Sequence, residues 1–136
     1  MPSARSPARP ERELRVAAKP SELARLREHV GDFASALGLD GLGRREFVLA
    51  ANEAVTNAIR HGTPDADGMI EVRISVDGDF LTLTVSDCGP FVTYVADRDP
   101  LAESGRGFAL MTKLVDEVQL SVGRRHTTLR LSKRLP

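Results

Sequence analysis

Residues 70–85 constrain the fold more than any other stretch of this chain. Ile70, Val72, Ile74 and Val76 alternate with other residues, Asp77-Gly78-Asp79 interrupts them, and Leu81, Leu83 and Val85 alternate back. A period of two places every second side chain on one face of a strand, and an Asp-Gly step between two such runs predicts a tight β-hairpin. One face of that hairpin is apolar and must be covered. The neighbouring segments supply the cover. Leu23, Leu26, Val30, Phe33, Ala34 and Leu37 recur at helical spacing after Pro20-Ser21-Glu22, with Gly38 as the stop. A second helix is expected from Arg44 to His61, with Phe47, Ala50, Ala51, Ala54 and Ala58 on its apolar side, after a loose link at Gly41 and Gly43. A third is expected from Gly107 to Asp116. Leu14, Val16 and Ala18 predict a short first strand. Val118, Leu120 and Val122, then Leu129 and Leu131 about a Gly123-Arg124-Arg125 turn, predict a closing pair.

Five strands and three helices that do not alternate regularly read as an α+β two-layer sandwich: a mixed, mostly antiparallel sheet with helices on one face. The chain of 136 residues is the size of one domain. Residues 1–12, with three prolines and three arginines, read as a disordered N-terminal arm, leaving 13–136 as the domain. Lysine plus arginine equals aspartate plus glutamate at 19 each. That balance argues against nucleic acid as a partner, because general nucleic-acid binding rests on neutralising phosphates. No apolar run approaches the roughly 20 residues of a membrane span, and MPSARSPARP has no signal-peptide core. The single cysteine, Cys88, forms no internal disulfide, and no Cys/His spacing suggests zinc. A reducing cytoplasm is the expected compartment.

Polar residues concentrate in three places. In ANEAVTNAIRHG, Glu53 and Asn57 stand four apart, on one side of the second helix, with Arg60 and His61 continuing the stripe. A carboxylate there could orient or deprotonate a nucleophile, and an amide oxygen is a hard ligand suited to hydrated Mg²⁺. Taken alone, the pair reads first as an ordinary solvated helix face, because E-x-x-x-N is too short to be specific. In SDCGPF, Asp87 ends an apolar strand just before Gly89, a place for accepting a hydrogen bond from a ligand or for a simple turn. In ESGRGFALM, Gly105 and Gly107 precede a helix, where freed backbone N–H groups attract anions; a lone G-x-G signals little. Residues 88–104 lack periodicity and form a long loop.

The order of these elements is more specific than any one of them. The chain resembles the GHKL ATPases of the Bergerat fold, and among them the small bacterial anti-sigma-factor serine kinases of the switch-protein type. The resemblance spans about residues 14–134. NEAVTNAIRHG resembles the family's N box, and GRGFALMTKLVDEV its G2 box and following helix. It implies ATP and Mg²⁺ as cofactors and assigns roles to single residues. Glu53 would be the general base, and Asn57 the Mg²⁺ ligand. Asp87 would accept from the adenine amine beside Gly89, and 90–104 would be the ATP lid. Gly105 and Gly107 would turn amides to the phosphates, Thr127 would lie by the adenine, and Arg25 in SELARL would touch a sigma factor. The implied partners are that sigma factor, a STAS-type anti-sigma-factor antagonist as the phosphorylation substrate, and a second copy of the chain. His126 stands where the family's Gly-Thr box has glycine, Pro90 follows Gly89, and the lid is short. The rival expectation is a non-catalytic module that docks partners. A histidine-kinase fragment is disfavoured, because no helical pair bears a phosphoacceptor histidine.

Overall fold

A computed structural model describes residues 11–61, 65, 67–88, 105–123 and 126–136; within that set the side chains of His61 and Arg106 are excepted. The expected N-terminal arm up to residue 10, Gly89 and the lid lie outside the described residues. The order of elements is β1 (Glu11–Ala17), a single 3-10 turn (Pro20–Glu22), α1 (Leu23–Ala36), α2 (Gly41–His61), β2 (Met69–Asp77), β3 (Phe80–Asp87), α3 (Gly105–Leu114), β4 (Glu117–Val122) and β5 (Thr127–Arg134).

The strands form one sheet in the order β1-β2-β3-β5-β4, and all four pairings are antiparallel. The mixed sheet expected above thus contains no parallel pair among the described strands. β1 begins earlier than its apolar pattern suggested. Glu11 and Arg12, assigned by composition to the arm, pair with Ser75 and Ile74. The backbone ladder holds these polar residues in the sheet, and Arg12 also lays its guanidinium over the Phe33 ring, 5.9 Å from its centroid.

The β2–β3 hairpin forms as its alternation demands. Asp77 pairs with Phe80, so Gly78 and Asp79 are the central turn residues. Gly78 has φ +60, the left-handed region that a first central residue of this turn class enters at no steric cost. Ile70, Val72, Ile74, Leu81, Leu83, Val85, Leu129 and Leu131 are buried on one face, where the three helices complete the core with Leu26, Val30, Phe47 and Met111. The other face is polar. There Arg73 bridges Glu13, Glu11 and Glu71, and Arg130 pairs with Asp77 at 2.7 Å.

α1 ends in a Schellman cap. Gly38 N–H donates to Ser35, Leu39 N–H reaches Ala34 at 3.0 Å, and Leu39 is buried behind it. α2 starts at Gly41, three residues before the expected Arg44, because both linker glycines enter its first turn. The side of α2 turned to the sheet carries Phe47, Ala50, Ala51, Ala54, Val55 and Ala58, all buried. α2 packs across β3 and β5, with α1 on one flank and α3 on the other. Lys133 ties three elements together. Its Nζ donates to the carbonyl of Leu114 at the end of α3 (2.9 Å) and lies 3.4 Å from Glu46 of α2.

Candidate functional site

The helix period places Glu53 and Asn57 on one side of α2, and both are half-buried. Among the described residues neither side chain has a hydrogen-bond or ion-pair partner. A carboxylate and an amide are thus held together at the protein surface with their bonding capacity unspent.

α3 comes to them at its third residue. A Cβ on Gly107 would stand 3.2 Å from Glu53 Oε2 and 3.6 Å from both terminal atoms of Asn57. The backbone at Gly107 is not in the left-handed region, so what glycine provides here is closeness: a side chain would press on the Glu53 carboxylate. The start of α3, Gly105 to Gly107, therefore lies directly over the Glu53–Asn57 pair. The first N–H groups of a helix have no intrahelical acceptor, so this end supplies backbone donors and a partial positive charge beside the carboxylate and amide. Two motifs about fifty residues apart in the chain meet in one contact.

A second pair forms across the sheet. Asp87, the last residue of β3, is in register with Thr127, the first of β5. Asp87 is 9% exposed and Thr127 8%. Both follow the parity of Val85 and Leu129, which places them on the helix-bearing face. Behind them, on the opposite face, the Ser86 and Thr128 hydroxyls bond to each other at 3.3 Å and fix the register. β3 thus ends in a buried carboxylate beside a buried hydroxyl, on the face of the sheet that carries α2. A carboxylate is an acceptor only, and it suits an exocyclic amine.

Three expected features stand apart from this cluster or beyond it. Gly89 lies outside the described residues. His126 is exposed, and its carbonyl accepts from Gly123 N–H at 2.8 Å to close the β4–β5 connection. Arg25 is exposed in the first turn of α1. Its guanidinium donates to the Arg15 carbonyl (3.0 Å) and pairs with Glu22 (3.2 Å), so it is fixed in place on the α1–β1 side. That contact, more than any other, holds the Glu22 carboxyl below the usual carboxylate range. An open hollow on the polar sheet face, lined by Glu11, Arg73, Thr84 and Arg130, is on the opposite side of the sheet from Glu53, Asn57 and Asp87.

The donor set suits a magnesium nucleotide. Among the described residues no group of three or more His, Cys, Asp or Glu side chains could cage a metal alone. Mg²⁺ does not need such a cage, because it keeps waters and shares substrate phosphates. An uncommitted amide oxygen beside an uncommitted carboxylate, under a helix start stripped of a side chain, matches that mode of binding.

Residues 16–133 match the family model described as histidine kinase-like ATPase domain. The chain belongs to this family. It is 32% identical over 124 residues to a serine-protein kinase RsbW of Bacillus pumilus, covering 79% of this chain and 76% of the relative. It is 35% identical over 100 residues to an anti-sigma F factor of Anoxybacillus flavithermus, covering 66% and 68%. These relatives bear out the resemblance to the anti-sigma-factor serine kinases. Among solved structures, the RsbU and RsbW domains of Rv1364c from Mycobacterium tuberculosis superpose with a TM-score of 0.72 at 24% identity, over 93% of this chain and 32% of that one. The SiaB–SiaC complex from Pseudomonas aeruginosa gives 0.61 at 14% identity, over 89% and 88%. Both share the fold: an α+β Bergerat sandwich. As an ATPase-family domain the chain is a nucleotide-binding protein. No described helix is long and apolar enough to cross a membrane.

Proposed function

We propose that this protein is an ATP-dependent serine/threonine protein kinase and anti-sigma factor of the cytoplasm. It phosphorylates a hydroxyl on a small STAS-type antagonist and, between such encounters, sequesters a sigma factor as a homodimer. The observation that carries the reading is the meeting of Gly107 with Glu53 and Asn57, which would bring a base, a metal ligand and phosphate-binding amides to one contact. The relatives named as serine-protein kinase and as anti-sigma F factor supply the substrate and partner classes.

Bound Mg-ATP supplies the phosphoryl group and the charge that neutralises it. Asp87 accepts a hydrogen bond from the adenine amine, with Thr127 beside it. The amides at the start of α3 would hold the phosphates, and the Asn57 oxygen would ligate the metal. Glu53 takes the proton of the attacking hydroxyl. Catalysis in this class is chiefly positioning and electrostatics, so a rigid junction of α2 and α3 is the relevant machinery. The phosphate placed on the antagonist adds about −1.5 to −2 charge, which drives the product off the kinase and leaves it for the sigma factor. Arg25, held by Glu22 and the Arg15 carbonyl, is the proposed sigma-factor contact.

Intact-mass measurement of purified antagonist with protein and Mg-ATP tests the reading. Wild type adds one phosphate, while Glu53→Ala adds none and retains ATP affinity by calorimetry. Unchanged transfer by Glu53→Ala removes the base assignment. Nucleotide binding with no transfer to any antagonist favours a non-catalytic docking regulator instead, a reading to which His126 in place of the family's glycine lends support.

A further inference from the structure

A line of exposed side chains leads along α2 to Glu53. Leu49 lies one helical turn before Glu53 and Leu42 two turns before Leu49, while Arg60 follows two turns after. Steps of seven, four and seven residues return to nearly the same side of a helix. Leu49 is 43% exposed and Leu42 64%, whereas the opposite side of α2 is fully absorbed in the core. These leucines are not leaking core residues. They sit on the side that the carboxylate shares.

The charges on this face are uneven. Arg45 and Arg60 are exposed and have no ion pair or hydrogen bond among the described residues. Of the acids along this side, Glu46 is already turned to Lys133, while Asp40 just before the helix is exposed. Arg27 of α1 reaches in to Asn52 at 2.8 Å. The face thus offers two apolar side chains with Arg45 between them along the helix and Arg60 beyond Glu53.

A base acts only within about 2.6–3.2 Å of the hydroxyl it deprotonates. A folded protein that brings a hydroxyl so close covers about 800 Å² of this one, a patch with a radius of about 16 Å. Leu49 is about 6 Å along the helix from Glu53, and Leu42 about 16 Å. We propose that the Leu42–Leu49 face of α2 is the docking surface for the phosphoacceptor protein, which meets it with apolar side chains and carboxylates beside its reactive serine or threonine. The proposal rests on the kinase reading for its occupant. It adds the surface that selects the substrate.

The test uses the full chain and the STAS-type antagonist that wild type phosphorylates. A Leu42→Ser/Leu49→Ser double variant changes two exposed positions. It is expected to raise the antagonist KM at least tenfold, with kcat at saturation and the ATP Kd unchanged. Leu42→Met/Leu49→Met restores the KM, and Arg45→Glu raises it severalfold. A KM within twofold of wild type in the serine variant overturns the docking face while leaving the kinase reading intact. Sedimentation that turns from dimer to monomer in that variant, with the KM unmoved, assigns the face to a second copy and also overturns the proposal. If wild type transfers no phosphate to any antagonist, the kinase reading falls. Calorimetric binding of the same antagonists then decides the surface: leucine-dependent binding upholds it, and leucine-independent binding overturns it.

Discussion

Gly107→Ala separates the stability of this fold from its chemistry. The added methyl would stand 3.2 Å from Glu53 Oε2, closer than the ordinary 3.4–4 Å contact, so the carboxylate must withdraw by a few tenths of an ångström. The end of a half-buried side chain can make that move without disturbing the backbone. Alanine is meanwhile favoured over glycine by about 1 kcal/mol in a helix interior, and by less at the third residue of α3. The expected net effect on folding is a gain of up to about 0.5 kcal/mol, or about one to two degrees in Tm for a chain of this size. Chemistry moves the other way. A displacement of about 1 Å in a positioned group costs about a hundredfold in rate. A few tenths should then cost about three- to sixfold in single-turnover transfer to the antagonist. Three measurements on one variant read this out: thermal unfolding by circular dichroism, ATP affinity by calorimetry, and the single-turnover rate. A Tm equal or higher with a slower rate and retained ATP binding is the expected pattern. A wild-type rate would refute the argument that this contact sets the position of the base. So would a lower rate accompanied by a lower Tm, because the loss would then follow from instability.

Asn57→Ala should abolish the Mg²⁺ dependence of ATP affinity, seen as equal calorimetric Kd values with and without the metal. Asp87→Asn should weaken ATP at least tenfold, since the amide offers only one acceptor oxygen and no charge to the adenine amine; a ribose-triphosphate probe lacking the base should be indifferent to the change. At Gly31 a Cβ would fall 2.5 Å from Arg44 Nη2, so Gly31→Ala expels the guanidinium that donates to the Gly31 carbonyl at 3.1 Å. The expected loss is about 1–2 kcal/mol in urea unfolding, and it should vanish in an Arg44→Ala background. Asp65 accepts from the backbone N–H of Met69 and from Arg15, and these contacts hold its carboxyl below the usual 3.8. A carboxyl depressed in the folded state contributes stability above its unfolded pKa, and that contribution is lost as pH falls through the lower folded value. Asp65→Asn should therefore flatten the acid limb of stability below about pH 4, measured as the urea midpoint against pH.

Much of this architecture is readable from periodicity. The β2–β3 hairpin and the buried faces of α1 and α2 follow from alternation at two and at 3.6 residues, because burial of one face enforces both patterns. What escaped notice has physical causes. Glu11 and Arg12 look like tail residues, yet they belong to β1, because strand pairing is a backbone property and its other ladder is four elements away in the chain. Gly41 and Gly43 look like a linker, yet they open α2. Local propensity lost there to packing: a Cβ at Gly43 would stand 2.8 Å from the end of the Leu39 side chain, which would have to move aside. The site is legible as separate words. Glu53 and Asn57 share a helix side by spacing alone, but their meeting with Gly107 depends on tertiary packing that no local pattern encodes. Leu49 was visible all along as a leucine on the polar side of an alanine-lined helix, and only its exposure distinguishes it from a core residue.

The four buried alanines of α2, Ala50, Ala51, Ala54 and Ala58, set how near that helix rides to the strands beneath it. They act as shims. Thickening any of them would lift the helix from the sheet and carry Glu53 and Asn57 with it, out of register with the start of α3 at Gly107. Filling this interior with larger hydrocarbon, a common route to hardier proteins, is therefore closed along one side of the molecule, and gains in robustness must come from α1, from the polar sheet face, or from the turns.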